Sequence, residues 1–371
     1  MRYSSKLFRN PLFAVLGVVV IGCQAGAPGE AASDADARSS SAAIPPAPPG
    51  FDYEAPAFEF EEVLPGIYHA RGTGSLSVGS NGAVIVNEDD VLVVDSHISA
   101  AAATALLRDI EASITDKPVR YVVNTHYHFD HAHGNQIYPS DVQVIGHEVT
   151  REMLRNGQSV GRSYELFVGS LPDQIAAAEA SLESAPEGQR AQLETRLAYL
   201  RNYLAGQEGL QPTGPNTTLS ERMTLFRGDR EIQLLFFGRG HTGGDVVVYL
   251  PRERAVVTGD LMVPGLPYMG DGYLDEWIET LEQVKELEFD WVLPGHGVPF
   301  QEKERIGYLQ DYMRDLLAQA TALHGQGMTY QDAATRIDMT GHVEHYPNLT
   351  GPGAPEIAVL RIFELLDGAA N

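Results

Sequence analysis

The sequence predicts an α/β fold, in which short strands alternate with helices. Short runs rich in Val, Ile and Leu recur along the chain, stretches of helical composition separate them, and glycine-rich turns follow several of the runs. The length of 371 residues suffices for one large domain or two ordinary ones. With 43% hydrophobic and 20% charged residues, the composition is globular and excludes coiled-coil, collagen-like and wholly disordered chains.

The first strands that we predict form a β-hairpin. Residues 82–86 and 91–95 are β-branched runs, and the turn residues 87–90 separate them. A helix is predicted at 100–114 and a strand at 119–123. Five further strands are predicted at 142–145, 232–237, 246–250, 255–258 and 291–293.

Two regions depart from this alternation. The composition of residues 172–204 predicts two helices, separated at Pro186. We expect the two helices to form an antiparallel hairpin within an insertion at about 165–210. We expect the hairpin to be a scaffold or a dimer element, because helical hairpins more often pack against a protein surface than open and close over a site. A lid over the substrate is the alternative. The C-terminal extension (303–371) is mostly helical, and we expect it to flank the sheet. Its clearest helices are at 302–322 and 355–366.

The charge balance argues against one class of partner. The chain has 50 Asp and Glu residues against 26 Lys and Arg residues, which gives a formal net charge of -24. Such a chain repels polyanions, so we expect no nucleic-acid partner and assign the acidity to solubility. A small-molecule substrate is the expected partner, and homo-oligomerisation stays open.

The N-terminus has the features of a bacterial export signal. Basic residues precede an apolar run at 12–21, which is too short to span a bilayer as a mature helix. The run ends in Val20-Ile21-Gly22-Cys23, which resembles a lipobox and contains the only cysteine of the chain. This resemblance implies a signal peptide at 1–22 and a lipid anchor on Cys23. Gln24 after the cysteine favours the outer membrane, facing the periplasm; a chance thiol in an ordinary secretory signal is the alternative.

A flexible tether follows the predicted anchor. Residues 23–50 are rich in Ala, Ser, Pro and Gly and have few large apolar side chains, so they cannot bury enough surface to fold. We therefore place the start of the main domain near residue 51 and its end near residue 302.

The residues that carry chemistry begin at Asn124-Thr125-His126-Tyr127-His128-Phe129-Asp130-His131, directly after a predicted strand. Residues two apart share one face of an extended chain, so His126, His128 and Asp130 would converge if the strand geometry continued. His131 would then point elsewhere and serve a second metal ion. Neutral imidazoles and a carboxylate at a strand end are typical zinc ligands; a hydrated histidine-rich loop is the alternative.

Three later predicted strands also end in a histidine or an aspartate. His241 stands in Gly240-His241-Thr242, Asp260 follows Gly259, and His296 follows Gly295. Glycine lets the backbone turn sharply and approach a crowded site closely. Because ligands gather at the carboxyl ends of strands in open sheets, we expect these side chains to join the same cluster.

Together these motifs make the sequence similar to the metallo-β-lactamase-fold hydrolase superfamily over about residues 58–302. The resemblance implies an αβ/βα sandwich, two sheets faced by helices, with a dinuclear metal site at the sheet edge. The expected metal is zinc, with iron or manganese as alternatives. Carried over by position, the first metal would be bound by His126, His128 and His241, the second by Asp130, His131 and His296, and Asp260 would bridge them.

The expected reaction is hydrolysis of a small carbonyl substrate, namely a lactone, ester, thioester or amide. Two zinc ions lower the pKa of a shared water, which gives a bridging hydroxide, and Asp130 would orient it or shuttle its proton. Metallo-β-lactamases generally place Cys or Ser where Asp260 stands, which argues against hydrolysis of β-lactams but keeps it as an alternative. Val263 stands where quorum-quenching lactonases carry Tyr, which argues against narrow acyl-homoserine lactone specificity. A non-catalytic metal-binding lipoprotein of the envelope is the other alternative.

Several further residues near the motifs are assigned supporting roles. We expect His133, His97 and His147 to support the site rather than to bind metal, because seven other residues already fill two sites. Asp95 is a candidate hydrogen-bond acceptor behind a ligand. Three tyrosines are candidates for the pocket wall, but aromatic residues in loops more often pack, so they stay outside the predicted site. They are Tyr127, Tyr268 and Tyr273.

Overall fold

The computed structural model describes residues 46–368, and in this part of the chain two β-sheets lie face to face. The strands of the first sheet are β1 (Phe58–Leu64), β2 (Ile67–Gly72), β3 (Gly82–Val86), β4 (Val91–Val94), β5 (Val119–Val123), β6 (Gln143–His147) and β7 (Thr217–Leu219), in that spatial order. Neighbours pair antiparallel from β1 to β4 and parallel from β4 to β7. Parallel strands need long crossover connections, which helices supply here.

The second sheet consists of β8 (Arg222–Arg227), β9 (Arg230–Leu235), β10 (Val247–Leu250), β11 (Ala255–Gly259) and β12 (Trp291–Pro294). Its spatial order is β12-β11-β10-β9-β8. Only the β11–β12 pair of these described strands is parallel, and a helix connects the two strands.

Helices cover the outer face of each sheet. The α-helices within residues 46–368 are α1 (Ala100–Ser113), α2 (Phe129–Ala132), α3 (Glu148–Arg155), α4 (Arg162–Phe167), α5 (Leu171–Glu183), α6 (Glu187–Ala205), α7 (Leu274–Lys285), α8 (Arg305–Gly325), α9 (Tyr330–Arg336) and α10 (Glu356–Leu366). The start of α1 shows the local cause: the side chain of Ser99 accepts a hydrogen bond from the backbone N–H of Ala102, a typical N-cap. None of the helices in the described residues is long and apolar enough to cross a membrane.

Three large buried clusters hold these layers together. The central cluster lies between the sheets and joins β4 residues such as Val94 to β9 and β10 residues such as Leu234 and Val248. A second cluster packs α1, α5 and α6 on the first sheet, and a third packs α7 to α10 on the second sheet. The predicted αβ/βα sandwich with a helical hairpin and a helical C-terminal tail is confirmed.

The sequence pattern missed four of the described strands, β1, β2, β7 and β8, and two of them lie at largely exposed positions. β1 and β8 carry charged residues, and most of their side chains are exposed or half-buried, so neither shows a clear apolar run. The predicted strand at 232–237 is observed two residues earlier, as β9. Sheet pairing fixes strand ends, and that pairing is not visible in a local pattern.

The predicted N-terminal features lie outside the described residues. These are the signal peptide at 1–22, the lipidated Cys23 and all but the last residues of the tether at 23–50. They stay predictions, as do the domain boundaries at residues 51 and 302.

Candidate metal centre

Four strand ends meet at one edge of the sandwich and bring all seven predicted ligands together. His126, His128, Asp130 and His131 follow β5 of the first sheet. The other three follow strands of the second sheet: His241 after β9, Asp260 after β11 and His296 after β12. The site is therefore built from both sheets, as expected for groups at the carboxyl ends of strands.

The local geometry of the histidine motif differs from the extended chain that we expected. β5 ends at Val123, and residues Phe129–Ala132 form the short helix α2. The prediction that His126, His128 and Asp130 converge along a continuing strand is therefore wrong. Instead, the turn after β5 carries His126 and His128 into one group, and the helix turns Asp130 and His131 into the other.

The first group consists of His126, His128 and His241, all of which are buried. Their facing nitrogens lie within 4.8 Å of one another. The Nδ1 atom of His128 lies 3.0 Å from Nε2 of His126 and 2.9 Å from Nε2 of His241. Three imidazole nitrogens that face a common point need a shared cation or proton, and they form the ligand set that zinc commonly takes.

The second group consists of Asp130, His131 and His296. The Nε2 atom of His296 lies 3.2 Å from Oδ2 of Asp130. Asp260 lies between the groups, because its Oδ2 atom is 3.3 Å from Nε2 of His296 and 3.6 Å from Nε2 of His241. This is the position that the resemblance assigns to a bridging ligand.

Two buried atoms show that these residues fit metal ions. Nε2 of His131 and Oδ1 of Asp260 are buried, face each other at 3.5 Å and form no regular hydrogen bond among the described residues. Buried polar atoms are rarely left unpaired unless they bind an ion, a water or a ligand. A side chain at Gly295 would collide with Asp260 and His131, so glycine is required for this close approach.

The electrostatics divide the histidines into two kinds. Burial and the neighbouring His128 lower the pKa of His241 to about 3, and burial together with His131 lowers the pKa of His126 well below its usual value. Burial alone would lower the pKa of His296, but Asp260 and Asp130 raise it to about 10. The pKa of His131 is raised for the same reason, because Asp130, Asp260 and Asp95 outweigh burial. Without metal, the carboxylates thus hold protons on the second group.

Asp95 fixes the orientation of a histidine in each group. Nδ1 of His131 donates to Oδ2 of Asp95 over 2.8 Å, and the Thr125 hydroxyl also donates to Asp95. Since that hydroxyl proton is used, Nδ1–H of His126 must donate to Thr125 Oγ1, which lies 3.0 Å away. Both rings therefore turn Nε2 toward the cluster, the usual role of a carboxylate behind a metal-binding histidine.

Asp271 plays the same role for His128, and the sequence reasoning missed it. Its Oδ2 atom accepts from Nε2 of His128 over 3.1 Å, so Nδ1 of His128 is free to face the other ligands. Asp245 was also missed; it accepts from the backbone N–H and the hydroxyl of Thr242, next to His241. Their only sequence signal is an aspartate beside glycines, which is common in loops.

The remaining histidines near the motifs lie outside the two groups, as expected. His133 is buried and contacts the hydroxyl of Ser159 at 3.0 Å, and His97 is buried against the backbone carbonyl of Ser80. His147 stacks on the ring of Phe236 with centroids 4.1 Å apart. None of the three belongs to a possible metal group in the described residues.

A cavity of about 360 Å³ adjoins the cluster. His128, Asp130, Asp260 and His296 line it together with aromatic and apolar side chains. These include Phe129, Phe167 on α4, Tyr199 and Tyr203 on α6, and Val263, Leu266, Pro267 and Tyr268 in the loop after β11.

The helical hairpin has two roles in this arrangement. Leu197 and Leu200 of α6 are buried against the core of the first sheet, while Tyr199 and Tyr203 of the same helix line the cavity. The expectation that the hairpin acts only as a scaffold or dimer element is therefore incomplete. Tyr268 also belongs to the cavity wall, although it was left outside the predicted site.

Comparison with known proteins places the chain in a class that matches its fold and site. The family model described as the metallo-beta-lactamase superfamily matches residues 78–296, which is more than half of the chain. The chain therefore belongs to the metallo-beta-lactamase superfamily, a superfamily of hydrolases.

Among individual proteins, the chain is similar to the linear primary-alkylsulfatase of Pseudomonas sp. (strain ATCC 19151), with 22% identity over 274 residues, or 70% of this chain and 50% of that protein. It is 23% identical to the 2,4-dinitroanisole O-demethylase subunit alpha of Nocardioides sp. (strain JS1661) over 215 residues, or 57% of this chain and 51% of the relative. The chain thus spans about half the length of these curated relatives.

A solved structure shows the same fold. The stereoselective inverting sec-alkylsulfatase from Pseudomonas sp. aligns with a TM-score of 0.60 and 18% identity, over 83% of this chain and 50% of that chain.

Proposed function

We propose that the chain is a metal-dependent hydrolase that cleaves a small carbonyl substrate, namely a lactone, ester, thioester or amide. The observation that carries this proposal is the pair of His/Asp groups, with Asp260 between them, beside a cavity of about 360 Å³. A cavity into which polar, titratable side chains converge is the default location of an active site.

The residues at the site would have separate roles in such a reaction. When bound in these groups, two divalent ions would supply a Lewis acid for the carbonyl oxygen and lower the pKa of a water molecule. Asp130 lines the cavity and lies beside His296, so its carboxylate is placed to orient a water molecule and to accept its proton. His131 is unsuited to that role because it belongs to the second metal-binding group and does not line the cavity.

We propose zinc as the metal. Three imidazoles in one group and a mixed His/Asp set in the other are nitrogen and oxygen ligands that zinc accepts readily, and iron and manganese are the alternatives. Metal analysis of the chain purified without added metal distinguishes them.

Two other activities are competing candidates. Similarity to two alkylsulfatases favours hydrolysis of a sulfate ester as a second candidate. β-Lactam hydrolysis remains an alternative within the superfamily. A non-catalytic metal-binding role does not account for the apolar cavity beside the cluster, so we favour catalysis over it.

We further propose that the protein is a lipid-anchored component of the bacterial cell envelope. The support is the lipobox-like sequence that ends at Cys23, after an apolar run preceded by basic residues. Labelling cells with a radioactive fatty acid should label the protein, and the Cys23→Ser variant should lose the label. An unlabelled wild-type protein would contradict the anchor.

The Asp130→Asn variant tests the catalytic proposal. Loss of the carboxylate should lower kcat by about a hundredfold or more, because positioned acid–base groups contribute roughly 10² to 10⁴ in rate. Metal content is measured on the same sample, so that a loss of chemistry is separated from a loss of metal. Asp89→Asn, in the exposed turn between β3 and β4, is the matched control and should keep full activity. Unchanged turnover in Asp130→Asn with metal bound would contradict the role of Asp130.

A further inference from the structure

We propose that the cavity binds an uncharged aromatic or alkyl group of the substrate, so that the enzyme selects substrates whose bound group is neutral against those whose bound group carries an anion. This inference rests on the proposed hydrolase function and specifies its substrate class. Three observations on the cavity and its surroundings support it.

The first observation is the chemistry of the cavity lining. None of the lining residues, all of which lie in the described part of the chain, is Lys or Arg. Apart from the residues of the two metal-binding groups, the polar atoms of its side chains are the hydroxyls of Ser163, Tyr199, Tyr203 and Tyr268. Away from the metal-binding groups, moving an anionic group from water into such a lining is unfavourable, because no cationic side chain there replaces its hydration. An apolar group gains free energy there instead.

The second observation concerns the arginines beside the cavity. Arg162 on α4 donates to the backbone carbonyl of Gly270 and to the carboxylate of Glu364, in each case over 2.6 Å. Arg361 on α10 donates to the carbonyl of Gly272 over 2.8 Å. Both guanidinium groups thus form hydrogen bonds within the protein, and neither arginine lines the cavity. An anionic substrate would have to displace Glu364 to recruit Arg162.

The third observation is the exposure of aromatic side chains of the cavity. Phe167 is 46% exposed and Tyr199 is 39% exposed, although both line the cavity. Two aromatic side chains left open to solvent at a concave site gain free energy when a ligand covers them. The volume of about 360 Å³ is near the lower end of the range for small-molecule sites, roughly 300 to 1,000 Å³. One ring or a short alkyl chain is therefore the expected group.

A matched pair of esters tests this selectivity on the zinc-loaded full-length chain. 4-Nitrophenyl pentanoate and mono(4-nitrophenyl) glutarate share the leaving group and the chain length, but the glutarate ends in a carboxylate. We expect kcat/KM for the pentanoate to be higher by about tenfold or more, a typical effect of one mismatched group in a specific pocket. Equal or faster hydrolysis of the glutarate would overturn the inference while leaving the hydrolase function intact.

Substitutions of aromatic residues test whether the cavity causes the selectivity for a neutral group. Phe167→Ala should raise KM for the pentanoate several-fold, and Phe167→Arg should raise kcat/KM for the glutarate relative to the pentanoate. Phe226→Ala is the control, because Phe226 is a 70% exposed aromatic on β8 that does not line the cavity. If Phe167→Ala and Phe226→Ala behave alike, the cavity does not bind the apolar group and the inference is overturned.

A binding measurement separates failure of this inference from failure of the hydrolase proposal. Valerophenone and 4-benzoylbutyrate are ketones that cannot be hydrolysed, and they differ only in a terminal methyl or carboxylate. If no ester is turned over, the hydrolase proposal fails, but tighter binding of valerophenone that weakens in Phe167→Ala would still support an apolar subsite. Equal or weaker binding of valerophenone would overturn the inference by itself.

Discussion

Asp95 orients one histidine of each metal-binding group, His131 directly and His126 through Thr125. Its backbone has a φ of 66°, in the left-handed region that Asp tolerates better than most residues. Such a conformation costs free energy and is commonly found at functional sites. One carboxylate at the end of β4 therefore couples the geometry of both groups.

The seven candidate ligands were predictable from the sequence because each stands in a short local motif. His126 to His131 occupy six consecutive positions, and His241, Asp260 and His296 directly follow a glycine. Asp271 could not be predicted, because it meets His128 across 143 positions of the chain. Tertiary contacts of this kind leave no local spacing to recognise.

Loss of Asp271 should weaken metal binding. In Asp271→Ala the ring of His128 loses its acceptor, and we expect the metal dissociation constant to rise by about tenfold to a hundredfold, as for other partners behind metal-binding histidines. Asp271→Asn keeps an acceptor oxygen and should show a smaller loss. Asp275→Ala, an exposed aspartate on α7, is the control. A dissociation constant equal to that of the wild type in Asp271→Ala would contradict this role.

Metal binding should also depend on pH. The pKa of His296 is raised to about 10 and that of His131 is raised as well, so both rings hold a proton at neutral pH when no metal is bound. A metal ion must displace these protons, and its affinity should therefore increase as pH rises, by about tenfold per pH unit or more from about pH 6 to about pH 8. Calorimetric titration in buffers of different ionisation enthalpy counts the released protons. An affinity that does not change with pH would contradict the protonated state.

Two helices hold the segment that carries Asp271, one from each side. Arg162 on α4 donates to the carbonyl of Gly270, and Arg361 on α10 donates to that of Gly272. Glu364 accepts from Arg162 and lies 3.7 Å from Arg361. The C-terminal helix therefore helps to place the partner of His128, which gives the helical extension a role at the metal centre.

The Glu364→Gln variant tests this connection. The two arginines lose their shared carboxylate, and we expect metal affinity to fall on the order of tenfold, within the range of roughly 0.5 to 2 kcal/mol by which such networks modulate distant sites. Restored affinity in Glu364→Asp would show that the charge, rather than packing, is responsible. Glu356→Gln, an exposed glutamate on the same helix, should behave like the wild type. If Glu364→Gln binds metal as the wild type does, the helix does not position the site.

The sequence predicted the elements with apolar runs better than those at exposed positions. The hairpin helices α5 and α6 and the inner strands β3, β4 and β5 lie where their patterns placed them. The helix α2 was missed because its four residues also fit an extended chain, and only the structure shows the turn that begins there. The edge strand β8 was missed because its charged side chains reach solvent.

The candidate metal centre joins the two sheets. Backbone N–H groups cross between the halves: Val246 donates to the carbonyl of Thr125, and Asn81 donates to that of Gly295, in each case over 2.7 Å. These bonds fasten the loops of His241 and His296 to the first sheet. Because ligands from both sheets would share the ions, metal binding should stabilise the fold as a unit.

Removal of metal should therefore lower the thermal stability of the whole chain. A ligand present at about a thousandfold over its dissociation constant stabilises the folded state by about 4 kcal/mol. We expect chelation to lower Tm by several degrees, in one transition seen equally by near-ultraviolet and far-ultraviolet circular dichroism. Loss of one signal before the other would show a partly folded intermediate, and would contradict stabilisation of the fold as one unit.

We propose above all that this chain hydrolyses a small carbonyl substrate with metal ions held by the two His/Asp groups. The most direct measurement is proton release by the full-length chain with lactone, ester, thioester, amide, β-lactam and sulfate-ester substrates, together with the metal content of the same sample before and after chelation. We expect about two ions per chain, turnover of at least one neutral carbonyl compound, loss of that turnover on chelation and its return with zinc. Turnover that survives complete removal of metal, or no turnover of any carbonyl substrate with both ions bound, would contradict this proposal.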